Sequence, residues 1–173
     1  MEVQSSDAQS FRQVYEACFP MLLKVVFHIT GNMDLAEEIC QETFIRYYDK
    51  AMTFPSEDDA KYWLIRVAKN LAINQVKRKV RELSMVEKLK KYPVEKPSED
   101  GADVLMAKET KLEVRKAIAQ LPEKFRLVIV MKEYTDMDYK AIAKTLHISE
   151  SNVKVRVFRA RKMLEQALQM SRE

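Results

Sequence analysis

Apolar residues recur every three or four positions along almost the whole chain, and only one stretch of any length interrupts them. That period belongs to helices that each bury one face. Phe11, Val14, Tyr15, Cys18 and Phe19 open the pattern, with Pro20 expected to interrupt or end the first helix. Leu22, Val25, Val26 and Ile29 carry the pattern on to a stop at Thr30-Gly31. Asn32 is placed to cap the next helix, with Ala36, Cys40, Phe44 and Tyr47/Tyr48 on one face. Phe54-Pro55 breaks it. Ser56, with Asp59 three residues on, starts a helix through Trp63, Leu64, Val67, Ala68 and Leu71 into Lys77-Arg78-Lys79. The chain has 2 Gly and 5 Pro in 173 residues, so turns are scarce and long helices are expected. No segment alternates as a strand would.

The interruption falls between Tyr92 and Asp103, where Pro93, Pro97, Ser98 and Gly101 sit among Glu95, Glu99 and Asp100. This composition suits an acidic, flexible linker and marks a domain boundary. The predicted fold is all-α: a helical domain over 1–88, a linker over 89–106 and a second helical domain over 107–173. In the second domain, helices are predicted from about 104 to 120, from 123 to 133, from Asp138 to Leu146, and from Ser149 to near Met170.

The net charge of +4 conceals strong segregation. Residues 61–91 carry ten Lys/Arg against two acids, and residues 139–172 carry eight against two. Residues 30–60 reverse this, with eight acids against two basic residues. Two basic blocks suggest two polyanion contacts, and the acidic block suggests a basic partner, although a solvated face accounts for any one block alone.

The pattern over Tyr139–Leu164 is that of a helix-turn-helix. Ala141, Ile142, Ala143 and Leu146 line a short helix, and His147-Ile148-Ser149 forms a tight turn. The second helix then buries Val153, Val157, Ala160 and Leu164. Such a second helix enters the DNA major groove. Its outward side chains here are Ser151, Asn152, Lys154, Val155, Phe158 and Arg159. Lys and Arg pair with guanine, while Val and Phe meet thymine methyls. Arg156, Arg161 and Lys162 are better placed for phosphates.

The basic block in the first half interleaves Tyr62, Trp63, Arg66, Lys69, Asn70, Asn74, Lys77 and Arg78. Aromatics among cations suit single-stranded nucleic acid, in which bases stack on rings. An amide such as Asn70 can read the edge of an unstacked base. A core role for Trp63 is the competing reading.

The phrases "GNMDLAEEICQETFIRYY", "YWLIRVAKNLAINQVKRK" and "LPEKFRLVIVMKEYTDMDYKAIAKTLHISESNVKVRVFRARKML" occur in that order. Together they resemble the extracytoplasmic-function group of bacterial RNA polymerase sigma factors, over residues 10–85 and 107–168. The resemblance implies that Asp34, Glu38, Gln41 and Glu42 bind the clamp helices of core RNA polymerase. It implies that Trp63 to Asn70 open and hold the −10 element, with Asn70 lining a pocket for a flipped base. Lys77, Arg78 and Lys79 would hold backbone phosphate, and Lys154, Val155, Phe158 and Arg159 would read the −35 element. The linker would thread towards the RNA exit path. An anti-sigma factor is an expected partner. Asn74, Asn152, Ala141 and Val155 depart from residues common in the family, which bears on promoter preference and not on fold.

Cys18 and Cys40 make no disulfide framework, and no apolar run is long enough to span a bilayer. A reduced, cytoplasmic protein without membrane insertion is expected. Neither His28 nor His147 stands at metal-ligand spacing with a cysteine, the acids Glu37, Glu38 and Glu42 lack a Glu-x-x-His companion, and no Gly-rich phosphate loop occurs. No cofactor and no catalytic residue are expected. A conventional helix-turn-helix regulator with an N-terminal sensor or dimerisation domain is the alternative. It calls for a pocket or dimer seam in the first half.

Overall fold

The computed structural model describes residues 2–87 and 105–170. A two-residue strand β1 (Val3–Gln4) precedes α1 (Ala8–Thr30) and α2 (Met33–Asp49); β2 (Thr53–Phe54) then leads into α3 (Glu57–Glu87). After the undescribed segment come α4 (Leu105–Gln120), α5 (Glu123–Tyr134), α6 (Tyr139–Leu146) and α7 (Glu150–Met170). The expected linker therefore lies outside the described residues, except that positions 105 and 106 already belong to α4.

Local signals set most boundaries. Asp7 caps α1 through the amide of Ser10, and Asn32 caps α2 by accepting from Leu35 N at 2.8 Å. Between those helices Gly31 takes φ 69°, the left-handed value that ends a helix, and its N–H donates to Phe27 O. Ser56 starts α3, its hydroxyl accepting from Asp59 N and donating to the Asp59 carboxylate. Pro20 neither interrupts nor ends α1, contrary to expectation. The ring removes one backbone donor, but Cys18, Leu22, Val25 and Val26 around it are buried against α2 and α3. That packing outweighs the local cost of proline in a helix, on the order of 3 kcal/mol. The short antiparallel ribbon of β1 on β2 (Val3 opposite Phe54) also departs from the expectation of helices alone. Two residues per strand are too few to show alternation.

In the first half α1 packs across both α2 and α3, and Leu22, Val25, Ala36, Cys40, Tyr47, Leu64, Ile65 and Ala68 are sealed between them. In the second half α5 and α6 pack on α7, with Val128, Met131, Ile142, Val153 and Ala160 inside. The halves also meet. Helix α1 lies against α4 and α5, α3 touches α6, and the buried residues form one continuous core.

Candidate nucleic-acid interface

Helix α6 is capped by Asp138, whose carboxylate accepts from Ala141 N at 2.7 Å, and ends at His147 in the left-handed conformation (φ 55°). Ile148 N donates to Ala143 O, and Ser149 Oγ accepts from Asn152 N to start α7. The turn is thus fixed at both ends. At about 100° per residue, Val153, Val157 and Ala160 face inward, while Ser151, Asn152, Val155, Phe158, Arg159 and Lys162 share the outer face. Val155 is 47% and Phe158 69% exposed, a large apolar surface for a solvent-facing helix.

The remaining cations of α7 flank that face and are engaged. Lys154 Nζ lies 3.0 Å from Glu150 and 5.7 Å from the centre of the Tyr139 ring; Arg156 Nε donates to Asn152 Oδ1. Arg161 pairs with Glu133 of α5 at 2.7 Å. These contacts are exposed and each worth little, so phosphate can displace them.

The same period places Lys69, Tyr62, Arg66, Lys77, Asn70, Trp63, Asn74 and Arg78, in that angular order, within about half the circumference of α3. The opposite half carries the core residues Leu64, Ile65, Ala68 and Ala72. Trp63 is half-buried against Tyr47 and Phe54, with ring centres 5.9 and 6.1 Å away, so it is both core edge and surface. Arg66, Asn70, Asn74 and Lys77 line the exposed side, and Arg78 is paired with Glu82.

Lys69 departs from expectation. It is 6% exposed, and its ammonium donates to Thr145 O near the end of α6, at 3.2 Å. Burial, and then the neighbouring Arg66, hold its pKa below the ordinary value. A cleft of about 580 Å³ opens beside it. Tyr62, Trp63 and Arg66 line one wall, and Lys140 and Lys144 of α6 the other.

On α2, Asp34, Glu38 and Gln41 are exposed on one stripe, and Glu42 beside it is held by Arg46 at 2.6 Å. Ile45 (56% exposed) and Tyr48 sit in the same stripe. The sequence pattern puts Tyr48 on the buried face with Tyr47, but only Tyr47 is buried. Ile45 escapes sequence reasoning because an apolar residue in an amphipathic helix is read as core by default.

Cys18 and Cys40 are buried and free, and burial pushes their pKa values up to about 11 and about 12. His28 is buried where the halves meet. Burial and the Arg115 guanidinium of α4 lower its pKa to about 4. Among the described residues no three metal-ligating side chains converge, and no helix is long and apolar enough to cross a membrane.

A helix-turn-helix behind a helical half that bears an aromatic, cationic face defines a two-part, mainly helical protein of the nucleic-acid-binding class. Known proteins agree. The family model for sigma-70 region 2 matches residues 14–82, and that for sigma-70 region 4 matches residues 111–164. The ECF RNA polymerase sigma factor SigW of Bacillus subtilis is 28% identical over 96% of this chain and 93% of its own. SigL of Mycobacterium tuberculosis, also an ECF sigma factor, is 28% identical over 95% of this chain and 92% of its own. Among solved structures, the sigma factor RpoE of Bartonella quintana, in complex with the anti-sigma factor NepR, superposes with a TM-score of 0.73. It is 21% identical and covers 94% of this chain and 98% of that one. CnrH, in complex with the cytosolic domain of CnrY, gives 0.68 at 18% identity, over 96% of this chain and 92% of that one. The chain belongs to the extracytoplasmic-function group of bacterial RNA polymerase sigma factors.

Proposed function

We propose that the protein joins core RNA polymerase and selects promoters by two readings made at separate places, without catalysing a reaction itself. The outer face of α7 reads the −35 duplex: Arg159 pairs with guanine, and Val155 and Phe158 contact thymine methyls. Lys162, with Arg156 and Arg161 once released from their side-chain partners, holds phosphates, and Lys154, once free of Glu150, joins Arg159 in reading bases. The α3 face takes the −10 strand: Tyr62 and Trp63 stack on bases, Asn70 reads a flipped base, and Arg66, Lys69, Lys77 and Arg78 follow the backbone. Asp34, Glu38, Gln41 and Glu42, around Ile45 and Tyr48, meet basic helices of the polymerase. The units that do this are residues 1–88 and 107–173, and the protein works in the cytoplasm. An anti-sigma factor is its expected partner; the similar Bartonella protein is in complex with one.

The observation that carries this reading is the presence, in one chain, of a capped helix-turn-helix and an α3 whose polar half-circumference is aromatic and cationic. Purified protein mixed with sigma-free core polymerase should co-elute with it and start transcripts at defined sites on genomic DNA. Sequence-specific duplex binding without any complex with core would point to a conventional regulator instead.

A further inference from the structure

We infer that the cleft between α3 and α6 binds a free nucleotide carrying two or more phosphates, a ligand that none of the promoter roles above calls for. Its volume, about 580 Å³, lies within the roughly 300–1,000 Å³ of small-molecule sites and suits a single nucleotide. Two of its lysines, Lys140 and Lys144, have no part in those roles.

Two kinds of side chain line the cleft, and they divide the ligand between them. Tyr62 and Trp63 of α3 are half-buried, each packed against the core while part of its ring faces the cleft. Tyr47 and Phe54 back the Trp63 ring at 5.9 and 6.1 Å. Rings held in this way stack on a base of any identity and lose little rotamer freedom in doing so.

Arg66, one turn along α3, and Lys140 and Lys144 on the opposite wall supply the charge. All three are exposed, and none has an ion-pair partner among the described residues. Lys140 and Lys144 stand four positions apart on one face of α6, with Cβ atoms about 5–6 Å apart, so their ammonium groups can reach adjacent phosphates. Arg66 adds a planar fork that bonds a phosphate through two N–H groups.

The two carboxylates in the lining do not cancel this charge. Asp59 accepts from Ser56 Oγ and Asp138 from Ala141 N, each at 2.7 Å. Each also lies at the start of its helix, where the positive end of the dipole faces it. The Lys69 ammonium, bonded to Thr145 O beside the cleft, adds to the positive side. A cleft of one dominant sign between low-dielectric walls concentrates small anions. A nucleoside alone meets only the rings, and inorganic polyphosphate only the cations. Joining both parts in one molecule makes the second contact intramolecular.

Trp63 is the chain's single tryptophan, so its fluorescence reports on the cleft directly. Full-length protein titrated with ATP should show saturable quenching. Adenosine and inorganic tripolyphosphate should each bind at least about tenfold more weakly, one lacking the charge and the other the base. Lys140→Ala combined with Lys144→Ala should weaken ATP binding at least about tenfold, as the loss of charged hydrogen bonds implies, with circular dichroism and melting unchanged. Lys111→Ala combined with Lys116→Ala removes the same charge from exposed positions on α4 outside the cleft and should leave ATP binding unchanged. Absence of saturable quenching by ATP overturns the site. Equal weakening by the two double variants overturns it too, because it shows only a general attraction of an anion to a basic protein. A short single-stranded oligonucleotide that displaces ATP and itself depends on Lys140 and Lys144 would make the cleft part of a strand groove and overturn its assignment to a free nucleotide. Failure to initiate with core polymerase strikes the promoter roles and leaves the fluorescence result standing.

Discussion

His28 of α1 and Tyr134 of α5, more than a hundred positions apart, stack with their ring centres 4.6 Å apart and their planes inclined by 30°. The contact joins the half that carries the proposed −10 face to the half that carries the helix-turn-helix. The imidazole is buried with Arg115 close by, so its neutral form is the one that fits.

From this follows a pH dependence. The folded pKa of about 4 lies below the ordinary 6.5, so the stability contributed by neutral His28 is fully present above pH 6.5. It is lost as pH falls from there towards 4, because the separated or unfolded chain binds the proton more readily. Thermal melting between pH 7.5 and 4.5 should show a fall in midpoint that His28→Ala flattens. Parallel curves for the two proteins would count against the assignment.

Phe158 is 69% exposed and takes no part in the core, so Phe158→Ala should leave the melting temperature within a degree or two. Binding to the −35 element should weaken roughly tenfold, in line with about 1.5 kcal/mol for the apolar surface a Phe side chain buries. Replacing the contacted thymines by deoxyuridine, which lacks the methyl, should remove most of that difference. Lys162→Ala should instead weaken binding to every sequence and lower the salt slope by about one.

Asn70 is exposed on α3 and holds no part of the core. The Asn70→Ala protein should still bind core polymerase and the −35 element. It should open the promoter about tenfold more slowly, as loss of a base-edge contact of 1–3 kcal/mol implies. Permanganate reactivity of −10 thymines reads the opening directly. Normal opening would remove Asn70 from the reading set.

Ile45 stands half out of α2 in the middle of an acidic stripe. Ile45→Lys should weaken the complex with core polymerase at least tenfold, with unchanged circular dichroism, because it places a charge at the centre of the proposed contact. Equal affinity in a titration of labelled core would move the contact elsewhere.

The helical period and the capping residues make most of the fold legible in the sequence alone. Asn32 accepts a backbone amide as expected, Asp138 and Ser149 cap the helices predicted to begin at them, and the helix-turn-helix turn falls at His147–Ser149. Pro20 misleads because a local rule prices a lost hydrogen bond and ignores the packing around Cys18 and Leu22. Ile45 and the side of Tyr48 are not legible because composition does not distinguish a core stripe from an apolar contact surface. The contact between the halves is hidden for a different reason. It joins Lys69 to a main-chain oxygen, Thr145 O, which carries no residue signature, and it places His28 opposite a partner on another helix. Local periodicity cannot report such contacts.

The two cysteines bear on how such a protein is told that conditions have changed. Each thiol is sealed in the first half's core, with its pKa raised to about 11 or about 12, so the nucleophilic thiolate is scarce at cellular pH. Peroxide or disulfide stress therefore meets no ready target on these side chains, and neither thiol is placed to act as the chain's own oxidative sensor.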